Sequence, residues 1–336
     1  MGWLGNQLDK LAGAVAGAPP VQLTFVPSIP AQDVPGIGEP IEPDSCYIEL
    51  YLESLRLARA RVFATRFHGV AYSFVTLARE GEQRAQLTAV SKPEKLAALD
   101  RNAIDRVITV SKQMMGPTAF RGGPVSLEFG LFSVKSGNLL TPVLDYVTRV
   151  SAAAGISYVG AIKPFVPLIT EGMDLIAGQV QDTALEVGVD TDLSLTTGCV
   201  SAIMALPKGS VNPEHLSLDR DRTLLLDGKA LNCGYATFSF RRTLQKSDYG
   251  EIPELKQRTD AIQSAINSNK EKEARDALNA FRLATIASPD LIPSDAHKLV
   301  QKVKEKVNEA FPPGGFAAVG PGTLPDVTLA NIRLYE

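Results

Sequence analysis

Residues 137–180 read GNLLTPVLDYVTRVSAAAGISYVGAIKPFVPLITEGMDLIAGQV and separate two halves of a chain of 336 residues. Thr141 and Pro142 favour the start of a helix, because the N–H that proline lacks is one that a helix start leaves unpaired. Apolar residues then recur at intervals of three and four, the period of one buried helical stripe. Lys163 and Pro164 end that pattern, since the residue before a proline is pushed out of the α region. The stretch therefore predicts two short amphipathic helices joined by a bend.

Charged residues distinguish a packed layer from a membrane span in this stretch. A spanning helix needs about 20 nearly uninterrupted apolar residues. Five charged side chains interrupt the sequence here: Asp145, Arg149, Lys163, Glu171 and Asp174. We therefore expect residues 137–182 to form a central apolar helical layer between two domains. Release of this layer to a membrane surface is the alternative that the sequence leaves open.

The chain length predicts two domains, because one hydrophobic core rarely grows beyond about 250–300 residues. Each half reads as strands followed by helices, so the predicted fold class is α+β, with a mainly antiparallel sheet and packed helices in each domain. The predicted segments are an amphipathic N-terminal helix (1–18), a first sheet-rich α+β domain (19–136), central apolar helices (137–182), a second α+β domain (183–311) and a Gly/Pro-rich connector with a C-terminal strand (312–336).

The first 18 residues carry an apolar helical face. Leucines and a valine recur at helical spacing with a tryptophan beside them: Trp3, Leu4, Leu8, Leu11 and Val15. Such a face needs a surface that buries it. The body of this chain, another protein or a neighbouring subunit, and a membrane surface are the three alternatives. The membrane is disfavoured because the polar face is short of the lysines and arginines that bind anionic lipids.

Two patterns locate strands, and a third predicts helix. Residues 46–53 alternate between apolar and polar side chains, which is typical of a half-buried strand. The alternation slips near Ser54 and Leu55, and this predicts a bulge or a bend. Asp227-Gly228 between two apolar runs indicates a hairpin. Residues 91–115 have a capping box and mostly helical apolar spacing, so one or two helices are predicted there.

Contact surfaces are predicted at two further places. Four arginines lie close together in sequence: Arg56, Arg59, Arg61 and Arg66. Guanidinium groups bind phosphate and carboxylate through a planar fork of donors, so this strip is a candidate contact surface, and the solvated face of a strand is the alternative. Near the C-terminus, Val327 and Leu329 belong to a predicted strand that pairs with a sheet of this chain or of a neighbouring molecule.

The composition and the missing motifs limit the class of partner, the cellular location and the kinds of site that we expect. A net charge of −3 argues against a nucleic-acid partner of the usual basic kind. Three cysteines are an odd number and lack metal-type spacing, so a reducing cytoplasm is the expected location. HExxH, GxSxG and GxxxxGK[ST] are absent, and the sequence therefore predicts no catalytic residue, metal or cofactor. Cys199 with His215 as a nucleophile pair, and a calcium site among acidic loops, are weaker alternatives.

These patterns favour a non-enzymatic protein–protein interaction or scaffold protein that associates with itself as a homo-oligomer. That function requires only the surfaces described above. The alternative is a membrane-acting protein that inserts its N-terminal or central apolar helices after a conformational trigger.

Overall fold

A computed structural model describes residues 24–57, 61–62, 65–77, 85–90, 108–135, 183–312 and 324–335. Within these ranges the chain forms antiparallel sheets and three α-helices, which confirms the predicted α+β class. The predictions for the N-terminal helix (1–18) and for the central helices (137–182) lie outside the described residues.

The strands precede the α-helices along the described chain. The strands are β1 (Thr24–Ile29), β2 (Tyr47–Arg56), β3 (Arg61–Val62), β4 (Thr65–Leu77), β5 (Ala85–Val90), β6 (Ile108–Ala119), β7 (Val125–Lys135), β8 (Thr183–Leu193), β9 (Cys199–Met204), β10 (Leu216–Leu218), β11 (Leu224–Leu226), β12 (Lys229–Ala230) and β13 (Tyr235–Thr243). The helices are α1 (Pro253–Asn267), α2 (Glu271–Ile286) and α3 (Pro293–Ala310).

The first sheet has the antiparallel order β1-β9-β13-β2-β6. The second sheet has the order β3-β4-β7-β8, and β5 also pairs with β4. Strands from before and after residues 137–182 therefore lie side by side in both sheets. Because β7 pairs with β8 and β13 pairs with β2, neither sheet is complete until both halves of the chain are present.

A β-bulge in β2 lies next to the predicted slip at Ser54. On β13, Thr237 pairs with Ser54 and Phe238 pairs with Leu52, so Glu53 is the extra residue. The bulge resets the alternation, and both Leu52 and Leu55 consequently face the core between the sheets. The slip in the sequence pattern is thus a real feature of the strand.

The two sheets pack face to face over one apolar core. Leu50 and Leu52 of the first sheet are buried with Leu127 and Phe129 of the second sheet. Phe238 lies among three other rings, with centroid separations of 5.3 Å to Phe129, 6.3 Å to Phe25 and 6.4 Å to Phe240. Aromatic pairs at these distances add to the gain from area burial alone.

The prediction of helix over residues 91–115 is wrong for residues 108–115, the part that the structure describes, because residues 108–119 form strand β6. Gly116 and Pro117 are poor helix formers, and the strand begins with the β-branched pair Ile108 and Thr109. The register against β2 shifts at three points, and Ser111 has a positive φ of 36°. These irregularities break the two-residue alternation, so the apolar spacing resembles that of a helix.

A small sheet, β10-β11-β12, covers the other face of the first sheet. Its tight turn is the predicted hairpin at Asp227-Gly228, and both residues have positive φ, at 52° and 74°. Two central residues with positive φ match the right-handed twist of the flanking strands, which confirms the hairpin prediction. Leu218 and Leu224 of this sheet pack with Tyr235 of β13.

The three helices and residues 324–335 form a second core of their own. Leu255, Phe281 and Val303 are fully buried in it. Residues 324–335 do not form the predicted C-terminal strand but run irregularly with a short 3₁₀ turn at Leu329–Asn331. The apolar residues of this segment, Val327 among them, instead fill the helical core. Among the described helices, none combines the length and apolarity that crossing a membrane requires.

Phe238→Ala tests the centre of the sandwich core. Removing a fully buried phenylalanine creates a cavity, so we expect the free energy of unfolding to fall by about 3–5 kcal/mol. Urea unfolding followed by far-UV circular dichroism measures the change. Leu244→Ala is the matched control, since Leu244 is 49% exposed and should change stability by less than about 0.5 kcal/mol. Equal losses in both variants would contradict the assigned core.

Candidate functional site

A fully buried carboxylate, Glu53, lies at the bulge of β2 on the face away from the sandwich core. Its Oε1 accepts hydrogen bonds from the Ser239 hydroxyl and from Arg241 Nη2 at 2.6 Å. Its Oε2 accepts from the Ser111 hydroxyl at 3.3 Å and lies 3.4 Å from Arg222 Nε. A buried charge is tolerated when it is paired and hydrogen-bonded in this way.

The two arginines of this Glu53 cluster are held by further contacts. Arg241 stacks on Tyr51, with its guanidinium carbon 3.8 Å from the ring centroid. Arg222 donates hydrogen bonds of 2.7 Å to the carbonyls of Gln32 and Asp33. Because Arg222 lies between β10 and β11, Glu53 fastens the small sheet to the first sheet. The cluster is therefore a structural tie in which the Glu53 carboxylate is paired with two arginines.

A second buried polar group lies where the helices meet the sheet. Asp295, in the first turn of α3, is 1% exposed. Its Oδ2 accepts hydrogen bonds from the hydroxyls of Tyr47, at 2.8 Å, and Tyr335. The Tyr47 hydroxyl in turn accepts the Ile292 N–H at 3.2 Å. We use the name junction cluster for Asp295, Tyr47, Tyr335 and Ile292 together with the buried Lys246.

Lys246 is a fully buried lysine of the junction cluster. Its Nζ donates to the Pro117 carbonyl at 2.8 Å and lies 3.0 Å from Asp248 Oδ1. The backbone N–H of Lys246 donates to the Tyr335 hydroxyl at 2.7 Å. Burial lowers the pKa of Lys246, and the nearby Asp248 carboxylate opposes that shift. The residue ties β6 to the segment that leads into the helices.

Burial is also the largest cause of the raised tyrosine pKa values. It raises the pKa of Tyr47 and of Tyr335 above the ordinary value, and the carboxylate of Asp295 adds to both shifts. In the small sheet, burial raises the pKa of Tyr235 to about 12, although the N–H of Leu224 donates to its hydroxyl. All three phenols therefore stay protonated at neutral pH and act as hydrogen-bond donors or acceptors.

The edges of the two sheets differ in their protection. In the first sheet, edge strands β1 and β6 contain Pro27 and Pro117 and have shifted register. In the second sheet, edge strands β5 and β8 contain no proline, and each pairs with only one strand among the described residues. A bulge at Glu186 shifts the register of β8 against β7. Proline and bulges block the addition of another strand. Among the described residues, the second sheet therefore has the edges without proline, and residues 187–193 of β8 form a stretch with regular pairing beyond the bulge.

The structure distributes the predicted contact residues over separate places. The Arg56 guanidinium donates to the Leu231 carbonyl at 3.2 Å and to Asn232, so it is engaged within the chain. Arg61 lies in β3, at the edge of the second sheet, where it is the cross-strand partner of Arg66 in β4. Val327 and Leu329 are buried in the helical core. The remaining predicted contact residues lie outside the described ranges: Trp3, Leu4, Leu8, Leu11, Val15 and Arg59.

The weaker chemical alternatives gain no support from the geometry. His215 pairs with Asp227, 2.9 Å away, and both side chains are more than half exposed. Burial raises the pKa of the Cys199 thiol, which disfavours the reactive thiolate. Among the described residues, no group of three or more His, Cys, Asp or Glu side chains could hold a metal ion.

Comparison of the chain with protein-family models, with curated proteins and with solved structures finds no match.

Glu53→Ala tests the tie between the small sheet and the first sheet. The substitution leaves Arg222 and Arg241, each about one-tenth exposed, without their carboxylate, so we expect a loss of about 3–5 kcal/mol in the free energy of unfolding. Glu39→Ala breaks a more exposed ion pair with Arg242 and should cost about 1 kcal/mol or less. Urea unfolding of both variants gives the comparison, and similar losses would refute the buried tie.

Alkaline pH tests the buried phenol of Tyr235. Between pH 10 and 12 the unfolded chain loses the Tyr235 proton while the folded chain keeps it, so folding stability falls as pH rises. From pH 8 to 11 this residue alone should remove about 1.4 kcal/mol. Urea unfolding should show a smaller loss over this range for Tyr235→Phe than for the wild type. Equal losses in the two proteins would contradict the raised pKa.

Proposed function

We propose that this protein is a non-enzymatic, self-associating interaction protein that assembles through the edges of its second sheet. One observation carries the proposal: β8 is an 11-residue edge strand without proline that pairs only with β7 among the described residues. Such a strand offers a row of backbone N–H and C=O groups to another chain. We place this assembly in the cytoplasm, and the three free cysteines support that location.

The direction of the strands favours a second copy as the partner. Each strand of the second sheet is antiparallel to its neighbours, so β8 runs parallel to β4 and opposite to β5. When a second copy in the same orientation lies beside β8, the β5 strand of that copy runs antiparallel to β8. The sheet then continues from one molecule to the next with the pairing type it already has.

The register of the sheet supports the same arrangement. Ala85, Leu77, Val125 and Leu193 lie at one level across β5, β4, β7 and β8. Leu77, Val125 and Leu193 are buried in the sandwich core. A neighbour that joins without stagger therefore places its own Ala85 at the level of Leu193. Contacts of this head-to-tail kind build rings or filaments instead of closed dimers.

The membrane-acting alternative rests on residues 1–18 and 137–182, outside the described ranges. Self-association, by contrast, rests on strands that the structure describes.

Proline at two adjacent positions of β8 tests the proposed edge contact. Successive residues of an edge strand direct their N–H groups alternately toward the neighbouring strand and outward. One of Asp190→Pro and Thr191→Pro therefore removes an outward N–H, and the other removes a hydrogen bond to β7. The outward variant should keep its melting temperature and lose self-association, while the inward variant should melt earlier.

Light scattering over a range of concentrations provides the readout. The wild type should exceed the mass of one chain, and its mass should rise with concentration. A wild type that stays monomeric at every concentration contradicts self-association. Assembly that survives both proline substitutions contradicts the β8 edge as the contact.

A further inference from the structure

The helical part of the molecule is joined to the sheets by one short connection. Every described strand ends by Thr243, and the helices and the C-terminal segment follow Tyr249. In the described chain, residues 244–248 connect the end of β13 to the helical part. We call residues 249–335 the helical unit and the strands before them the sheet unit.

Each unit has a hydrophobic core made from its own residues. The helical core contains side chains from Tyr249 to Leu334, with Tyr335 packed against it. The sandwich core contains side chains from Ile41 to Phe240. Among the described residues, the apolar cluster that includes both units is small and consists of Tyr47, Ala119 and Ile292. Burial of apolar surface therefore stabilises each unit more than it stabilises their contact.

Between the described residues of the two units, most contacts are polar. The Tyr47 hydroxyl of β2 donates to Asp295 of α3 at 2.8 Å and accepts the Ile292 N–H at 3.2 Å. Arg121 donates to the Leu291 carbonyl at 2.7 Å, and its other terminal nitrogen lies 2.5 Å from Asp44 within the sheet unit. Hydrogen bonds between units can be exchanged for hydrogen bonds to water at a low net cost compared with opening an apolar core.

We propose that the helical unit is detachable and that Asp295 is the latch that holds it on the sheet unit. Asp295 joins a tyrosine of the sheet unit, Tyr47, to the C-terminal tyrosine of the helical unit, Tyr335, through one carboxylate oxygen. Loss of this contact leaves each unit with its own core intact. Detachment uncovers the ends of β2 and β6, including Tyr47 and Ala119, as a new surface. This conformational device does not depend on self-association through β8.

Tyr47→Phe tests the latch by removing one hydroxyl from the sheet side. The amide of Lys246 is the reporter, because it bonds to the Tyr335 hydroxyl and does not touch the substituted atom. Residue-resolved hydrogen exchange should show the Lys246 amide exchanging about 10- to 100-fold faster, the effect of one hydrogen bond to a carboxylate. Amides inside the helical core, such as those of Ile262 and Val303, should change by less than about twofold.

Tyr249→Phe is the matched control, since its hydroxyl donates to the Ile332 carbonyl inside the helical unit. In that variant the Lys246 amide and the core amides should accelerate together, because the whole unit is destabilised. The proposal is overturned if Tyr47→Phe accelerates both sets equally, since the units would then open as one. An unchanged Lys246 amide in Tyr47→Phe overturns it as well.

Asp295→Lys provides a second variant that opens the junction more fully, because it places a cation beside Lys298 in the same turn of α3. Small-angle X-ray scattering of the dilute monomer should show a larger radius of gyration, while far-UV circular dichroism should keep the helical signal. A folded variant with the wild-type radius overturns the latch. Loss of the helical signal overturns the claim that the helical unit is stable without its contact to the sheet unit.

Discussion

The bulge at Glu53 is the constraint on which much of the sheet arrangement depends. One extra residue in β2 lets Leu52 and Leu55 face the same core, while the Glu53 carboxylate is buried on the opposite face. That carboxylate then gathers groups from β6, β13 and the turn after β10. A single irregularity thus sets the apolar face of the sandwich and the attachment of the small sheet.

The molecule uses apolar contacts within its units and polar contacts between them. Phe238 and Phe281 are both fully buried, each in the core of its own unit. Asp295 and Lys246 are buried just as deeply, but at the junction. Buried polar groups fix one geometry because few arrangements satisfy them, and they hold less strongly than a large apolar surface. The junction is therefore specific in position and modest in strength.

Sequence patterns predicted the elements that depend on local chemistry. The hairpin at Asp227-Gly228 follows from residues that accept positive φ, and the slip near Ser54 marks a real bulge. The sequence of β6 wrongly suggests a helix, because register shifts place its apolar residues at helical intervals. The partners of Glu53 and Asp295 cannot be predicted from the sequence, because their distant contacts depend on the tertiary fold, and an acid in the first turn of a helix is favourable without any such contact.

The position of β2 between β6 and β13 has a consequence for synthesis of the chain. Glu53 and its partner Ser239 are separated by 186 residues. At about 5–20 residues per second, a ribosome needs about 10–40 s to make the intervening chain. Throughout that interval the nascent β2 exposes the side that β13 later covers, so early β2 is open to wrong pairing or to chaperones. The helices, by contrast, pack mostly against their neighbours in sequence, so they do not wait for a strand made much earlier.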